Sequence, residues 1–457
     1  MNSSQDSTNH DIIRHDVKPG RLDEEHIDRN YYDLHPPLTP HQAAVESDRC
    51  LFCFDAPCTE ACPTGIDIPA FIRKISTGNL RGAAVTILSE NIMGGTCANV
   101  CPVEELCEQL CVKNTAEEQP ISIGRLQRYA TDHLFRHHLQ WPVQPFRRKA
   151  ATGKRIAVVG AGPAGLSCAH RLAMHGHDVT VFETREKAGG LNEYGLAAYK
   201  MLDQRAAREV EFILGIGGIT ISLGKSLGAD FSLAGLRNDF DAVFLGLGHN
   251  DVNQLDLDNE NANGVHDAVN YISRVRQEKL TNLPVGRRVV VIGGGNTAID
   301  IAVQIKKLGA EYVTLVYRRG GQDMGATGFE QGFAQTSGVL IKTWASPQKI
   351  NADEHGVIGV TFEYTQKDGD GRLVGTGEYF ELEADQVFKA IGQHFDESVL
   401  LADHCPEIEN GRIRVDEERR TSLPGVWAGG DCVAGMDLTV VAVQDGKLAA
   451  ESINKEL

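Results

Sequence analysis

Two stretches of this chain repeat one demanding pattern. Residues 155–183 read RIAVVGAGPAGLSCAHRLAMHGHDVTVFE, and residues 287–319 read RRVVVIGGGNTAIDIAVQIKKLGAEYVTLVYRR. Each runs from an apolar strand through a glycine turn into a helix, then into a second strand. A strand–turn–helix–strand of this kind predicts a parallel sheet flanked by helices. In the first copy Gly160 permits the tight turn, Gly162 lets a pyrophosphate approach the backbone, and Gly165 lets helix and strand pack closely. The positive end of the helix favours the phosphate charge. Glu183, ending the second strand, is placed to accept hydrogen bonds from ribose hydroxyls. In the second copy Gly293, Gly295 and Ala298 form the turn, and the second strand ends in Arg318 and Arg319 instead of an acid. Two guanidiniums there suit a 2′-phosphate, which a carboxylate would repel. Against this stands the plain alternative of a solvated arginine pair.

Two dinucleotide folds in one chain predict a flavin site and a nicotinamide site. Further along, GVWAGGDCVAGMDLTVVAVQDGKLAA (425–450) supplies a strand, Gly430, Asp431 and a helix. This resembles the element of two-dinucleotide flavoproteins in which the aspartate holds the ribityl hydroxyls. DAVFLGLG (241–248) and DQVFKAIG (385–392) resemble the strands that end in glycine at the domain crossings of that fold. The expected layout is a flavin domain split into 154–284 and 391–457, with a nicotinamide domain inserted at 285–390.

The other concentrated signal is cysteine. Of eleven cysteines, Cys50, Cys53, Cys58, Cys62, Cys97, Cys101, Cys107 and Cys111 lie in one short region. Thiolates at such spacings converge on a soft metal centre. A structural zinc takes four thiolates. A pair of iron–sulfur clusters fits better the C-x3-CP endings at Cys62-Pro63 and Cys97 to Cys101-Pro102, because such a last cysteine crosses to the other cluster in two-cluster ferredoxins. Counting alone assigns four consecutive cysteines to each centre. Cys168, Cys405 and Cys432 are scattered and read as small buried hydrophobes. Between the cysteine groups, Ile68, Phe71, Ile72 and Ile75, then Ala83, Ala84, Ile87 and Leu88, recur at helical spacing. The first 140 residues therefore read as a small helical domain around the centres, with 141–153 as linker.

Length and charge agree. At roughly 150 residues per domain, 457 residues make about three domains. A net charge of −17 argues against nucleic acid as partner. The polar start MNSSQDSTNHDIIRHD has no apolar signal-peptide core, and no run of eighteen apolar residues marks a membrane span, so a cytoplasmic protein is expected.

Taken together, CLFCFDAPCTEACP, GTCANVCPVEELCEQLC, ISIGRLQRYATD, GAGPAG, GGGNTAID, VYRRG and AGGDCV resemble the electron-input part of dihydropyrimidine dehydrogenase, a separate subunit in bacteria, over about residues 45–457. The small subunit of glutamate synthase shares the architecture. The resemblance implies an α/β chain: an N-terminal helical iron–sulfur domain, then two Rossmann-like domains, the flavin one split and the NAD(P)H one inserted. It implies FAD, a nicotinamide dinucleotide and two 4Fe-4S clusters, and the Arg318–Arg319 pair points to NADP(H) in preference to NAD(H). One cluster would use Cys50, Cys53, Cys58 and Cys111. The other would use Cys62, Cys101, Cys107 and Gln127, leaving Cys97 unligated. Gln127, in ISIGRLQRYATD, is what tips the resemblance toward dihydropyrimidine dehydrogenase.

Implied cofactor contacts are Gly160, Ala161, Gly162, Pro163, Ala164, Gly165, Glu183, Gly190, Leu191, Lys200, Leu227, Gly294, Gly295, Asn296, Thr297, Arg318, Arg319, Ala390, Ile391, Gly392, Gly430, Asp431 and Thr439. Two local departures stand out. Leu196-Ala197 replaces a Gly-Ile-Pro motif, and MGA at 324–326 replaces Met-Pro or Arg-Ala. The implied partner is an FMN-bearing TIM-barrel subunit that reduces uracil or thymine. No side chain of this chain is assigned a catalytic proton transfer. The readings left beside it are a glutamate synthase-type input subunit and a zinc-stapled nucleotide-binding interaction protein.

Overall fold

The computed structural model describes residues 17–137, 145–202, 204–400 and 405–457. The first four residues of the expected linker lie outside them. The chain forms two compact units. One takes 34–193, 200–251 and 395–457; the other takes the chain up to Asp33, Tyr194–Tyr199 and Val252–His394.

The first unit opens with helices whose starts are written in the sequence. Thr39 and Gln42 form a reciprocal capping box at Pro40–Asp48; Asp67 accepts from the Ala70 N–H at Ile68–Ser76; Asn79 accepts from Gly82 at Leu80–Glu90. Their expected apolar faces are the buried ones: Phe71, Ile72, Ala83, Ala84 and Ile87 pack with Leu126, Ala130 and Leu134 of Ile123–His137. Beside them lies a five-stranded sheet in the order Val426–Ala428, Ala242–Leu245, Arg155–Val159, Asp178–Glu183, Ile219–Leu223, every pair parallel. The C-terminal strand thus completes a sheet begun 270 residues earlier, the difference of Val426 and Ile156. Helices Pro163–Met174 and Thr439–Glu456 pack together so closely that a Cβ on Gly446 would sit 2.1 Å from the Ala164 carbonyl oxygen.

The second unit has its own parallel sheet, in the order Leu340–Lys342, Tyr312–Val316, Arg288–Ile292, Gln386–Lys389, Val265–Asp267. It also carries an antiparallel sheet of Ala345–Asp353, Gly356–Lys367 and Leu373–Glu383. It is larger than the expected 285–390.

Two expectations change. Residues 17–33, read as part of the helical domain, group with the second nucleotide fold. Lys18–Pro19 pairs with Pro284–Val285, and Asn30 and Lys307 exchange side-chain to carbonyl hydrogen bonds of 2.8 and 2.7 Å. The Tyr31 hydroxyl donates to the Gln304 carbonyl. These bonds satisfy carbonyls in the last turns of Asn296–Lys307, a long-range polar need that local periodicity does not register. Among the scattered cysteines, Cys168 and Cys432 are buried as expected, but Cys405 is exposed.

Candidate functional site

At the first glycine turn every expected steric demand is met. Gly160 has φ of +99°, and a Cβ there would lie 2.2 Å from the Gly246 carbonyl oxygen; on Gly165 it would lie 1.9 Å from that of Gly160. Gly162 caps helix Pro163–Met174 with no side-chain hydrogen bond, and a Cβ on it would meet only Gly190 Cα, at 3.8 Å. That leaves a bare helix N-terminus facing open space, which is what a pyrophosphate needs. The buried Glu183 carboxylate accepts from the N–H groups of Ala161 and Arg185, both at 2.8 Å, so it fastens the turn as well as offering its remaining lone pairs to a ribose.

Three more segments close on this turn. Gly190 abuts Gly162, with Leu191 beginning the short helix that follows. Gly430 comes against Ala164, 3.0 Å from the Cβ it lacks, and its N–H donates to Asp445 at 2.9 Å. Thr439, opening the last helix, hydrogen-bonds Asn192. Asp431 follows Gly430, its carboxyl pushed up to about 6 by burial and the nearby Asp437, against the opposing charge of Arg412. Lys200 is buried. Leu227 is packed in an apolar layer with Val159 and Leu245.

The second turn is built alike but furnished differently. Gly293, at φ of +149°, sits against the Ala390 carbonyl, and Gly294 against the Tyr317 ring. Ala390, Ile391 and Gly392 therefore belong to this turn, with Asn253 bonded to the carbonyls of both Ile391 and Gly392. Gly295 caps Asn296–Lys307, again without a side-chain bond, and nothing lies within 4 Å of its missing Cβ. Asn296 and Thr297 form the helix's first turn. Arg318 and Arg319 are exposed on a fixed backbone: Thr365 donates to the Arg318 carbonyl, and the Trp344 N–H to that of Arg319. The loop at 324–326 folds back, its Ala326 N–H donating to the Gly294 carbonyl.

The thiols regroup. Cys50, Cys53, Cys58 and Cys111 line one pocket. Burial, then the neighbouring Cys111, Cys50 and Cys53, push Cys58 up to about 12. Cys101 is raised by its contact with Cys97, by burial, and by Cys107 and Cys62. The chain thus exchanges Cys62 and Cys111 between the consecutive fours that counting gives. Among the described residues no three His, Cys, Asp or Glu side chains converge on one ion. Half-buried thiols grouped in this way, each costly to ionise next to the others, fit a soft cationic group that would offset their charge. Gln127, buried on Ile123–His137, donates from its amide nitrogen to the Gly94 carbonyl at 2.7 Å, which leaves its oxygen as the atom able to ligate a metal. Cys97 touches Cys101 from the same side, a contact that the family pattern does not use.

Sequence reasoning missed the groups that tie this helical layer to the nucleotide fold. Glu209, on Arg205–Leu214, is buried and accepts from the N–H groups of Gly95 and Thr96 and from the Thr96 hydroxyl. Burial raises it to about 7 against those bonds. A lone acid among Ala206, Val210 and Ile213 on an apolar face was the signal available. Lys447 bonds the Thr64 carbonyl and Glu90, and Asn192 reaches Met93. All three contacts fall beside the Cys62–Cys97–Cys101 side.

Residues 154–446 match the family described as pyridine nucleotide-disulphide oxidoreductase, and residues 27–139 the one described as dihydropyrimidine dehydrogenase domain II, 4Fe-4S cluster. The chain is 35% identical to the NAD-dependent dihydropyrimidine dehydrogenase subunit PreT of Salmonella typhimurium, covering 94% of this chain and 98% of that one. It is 33% identical to the glutamate synthase (NADPH) small chain of Escherichia coli, covering 93% of each. Thioredoxin reductase of T. acidophilum shares the fold with a TM-score of 0.52 at 23% identity, over 66% of this chain and 99% of that one.

Proposed function

The chain belongs to the pyridine nucleotide-disulphide oxidoreductase family, with an iron–sulfur domain at its N-terminal side, and we propose that it is the electron-input subunit of a dihydropyrimidine dehydrogenase. The observation that supports this is the grouping of the thiols: Cys50, Cys53, Cys58 and Cys111 around one pocket, and Cys62 and Cys107 near Cys101, in the same compact unit as a flavin-type glycine turn. In this reading a flavin accepts hydride from NAD(P)H and clusters pass electrons singly, chemistry that the cofactors supply when bound.

The chain's own residues hold and shape. Gly160, Gly162 and Gly165 with the helix N-terminus hold the FAD pyrophosphate, Glu183 its ribose, and Asp431 its ribityl chain. Gly293, Gly295 and the helix behind them hold the nicotinamide dinucleotide. Arg318 and Arg319 hold a 2′-phosphate, so NADPH is preferred. Cys50, Cys53, Cys58 and Cys111 hold one 4Fe-4S cluster; Cys62, Cys101, Cys107 and Gln127 hold the other. The Glu209, Lys447 and Asn192 contacts favour the second cluster as the one nearer the flavin. The pyrimidine is reduced on a separate FMN-bearing barrel subunit.

Anaerobically purified protein should carry about eight irons and one FAD per chain; stoichiometric zinc without iron overturns the cluster assignment. Gln127→Ala should alter the spectrum of one cluster only. NAD(P)H with uracil should give 5,6-dihydrouracil when the barrel subunit is added and none with this chain alone. The arginine pair, and the 33% identity to a small chain named for NADPH, favour a second reading as a glutamate synthase input subunit. Glutamate formation with the large chain, and no pyrimidine reduction with the barrel subunit, would select it.

A further inference from the structure

Large exposed apolar side chains gather around one set of thiols. Leu51 is 59% exposed, Phe54 100%, Leu110 51% and Val112 40%. Each is the chain neighbour of a cysteine in the first set: Leu51 of Cys50, Phe54 of Cys53, and Leu110 and Val112 on either side of Cys111. Leu51 and Val112 line the same pocket as the four thiols. The other set has no such surround: Leu106 and Val103, beside Cys107 and Cys101, are partly buried. A fully exposed phenylalanine loses hydration free energy that any covering surface would recover.

Charge adds a second, independent feature. The two segments that carry these cysteines, 50–63 and 101–111, contain Asp55, Glu60, Glu104, Glu105 and Glu108 and no lysine or arginine. Of the bases that follow, Lys113 is paired with Glu117 at 2.6 Å, and Arg73 lies over the Phe52 ring. Asp55 and Glu60, both exposed, flank the apolar residues along the chain, and an apolar centre edged by acids is half of a complementary interface. The other half is an apolar patch ringed by lysine and arginine.

We infer that the surface formed by Leu51, Phe54, Leu110 and Val112 is the electron-exit face, where a partner redox protein docks with a basic rim and an electron acceptor near its own surface. The inference rests on the electron-input reading and adds the place and chemistry of the partner's contact. Proximity is the physical reason. What covers Phe54 and Leu51 lies against the first thiol pocket, whereas the second set is occupied by contacts to the nucleotide fold. Each NAD(P)H oxidised yields NAD(P)⁺, a proton and two electrons, so two one-electron acceptors are reduced per turnover.

The test compares the parent with Phe54→Ser/Leu110→Ser and with Asp55→Lys/Glu60→Lys. None of these residues is proposed as a ligand, so iron content, flavin content and NAD(P)H–ferricyanide activity should match the parent in each. Calorimetric titration with the barrel subunit, or with the glutamate synthase large chain if only that one turns over, should show affinity about tenfold weaker or worse for the apolar pair, as for interface anchors. The charge-reversed pair should weaken binding most at low salt. Hydrogen exchange should slow at 50–62 and 106–112 when the partner is added. Unchanged affinity and exchange in these variants overturn the docking face while leaving the electron-input reading intact. If neither subunit turns over, that reading fails. The face is then tested with cytochrome c, a basic one-electron acceptor protein. Its KM should rise in both variants, and an unchanged KM overturns the face on its own.

Discussion

The two glycine turns share a plan and differ in what surrounds them. The first is hemmed in. Glu183 ties its backbone at 2.8 Å, Gly190 and Gly430 press on it, and Asn192 and Thr439 join across it. The second is packed at Gly293 and Gly294 but open at its helix end: nothing lies within 4 Å of the Cβ that Gly295 lacks, and two arginines stand exposed at the strand end. A ligand surrounded by several tied segments leaves only when they open, so the first site suits a resident cofactor. A ligand held by a helix terminus and exposed cations exchanges readily, so the second suits a substrate nucleotide. Iteration of a motif therefore does not imply equal service; the surroundings assign the role.

The comparison is broken most forcefully at Gly165. Gly165→Ala places a Cβ against the Gly160 backbone with no flexible neighbour to yield. It should destabilise by about 3 kcal/mol and release flavin, read by thermal melt and the flavin absorbance of the purified protein. Retention of FAD and an unchanged melt would show that the first turn is as loose as the second.

Asp431 sharpens it next. Its carboxyl is raised to about 6 from 3.8. A raised acid contributes stability that is full below pH 3.8 and lost as pH rises through 6. A shift of that size is worth roughly 3 kcal/mol, linked to pH between about 4 and 6. In flavin-stripped protein, Asp431→Asn should flatten the melting profile over that window, and identical profiles would remove the assigned burial effect.

Arg318→Ala/Arg319→Ala should weaken NADPH binding about a hundredfold or more, each charge-assisted phosphate contact contributing about 1.5–3 kcal/mol, while NADH binding changes little. Equal loss for both nucleotides would make the arginines a general surface feature. The smallest effect on folding belongs to Gly295→Ala. Its Cβ enters empty space, so stability should change by only about 1 kcal/mol, mostly through the helix cap. Flavin content should hold while the KM for NAD(P)H rises. A large loss of stability would mean that the second turn is packed like the first.

Much of this molecule is legible along the chain because its cause is local. A strand, a glycine turn and a helix occupy twenty residues, Arg155–Met174 or Arg288–Lys307, and their steric demands show directly as Gly160, Gly165 and Gly293. Caps such as Thr39 and Asp67 reach only three residues ahead. Periodicity likewise marks Phe71, Ile72 and Ile87 for burial, since a helix face is set by neighbours three and four positions away.

Tertiary structure alone decided the rest. It placed Cys111 with Cys50 and Cys62 with Cys101, laid residues 17–33 against Asn296–Lys307, and set Ala390 behind Gly293. It buried Glu209 where the N–H groups of Gly95 and Thr96 offset part of the cost. These contacts join groups tens to hundreds of residues apart. Polar and metal-binding side chains carry no periodic signature of their partners. Chain spacing thus reveals that thiols or a buried acid have partners, and only the packing of helices and sheet selects which partners come within reach.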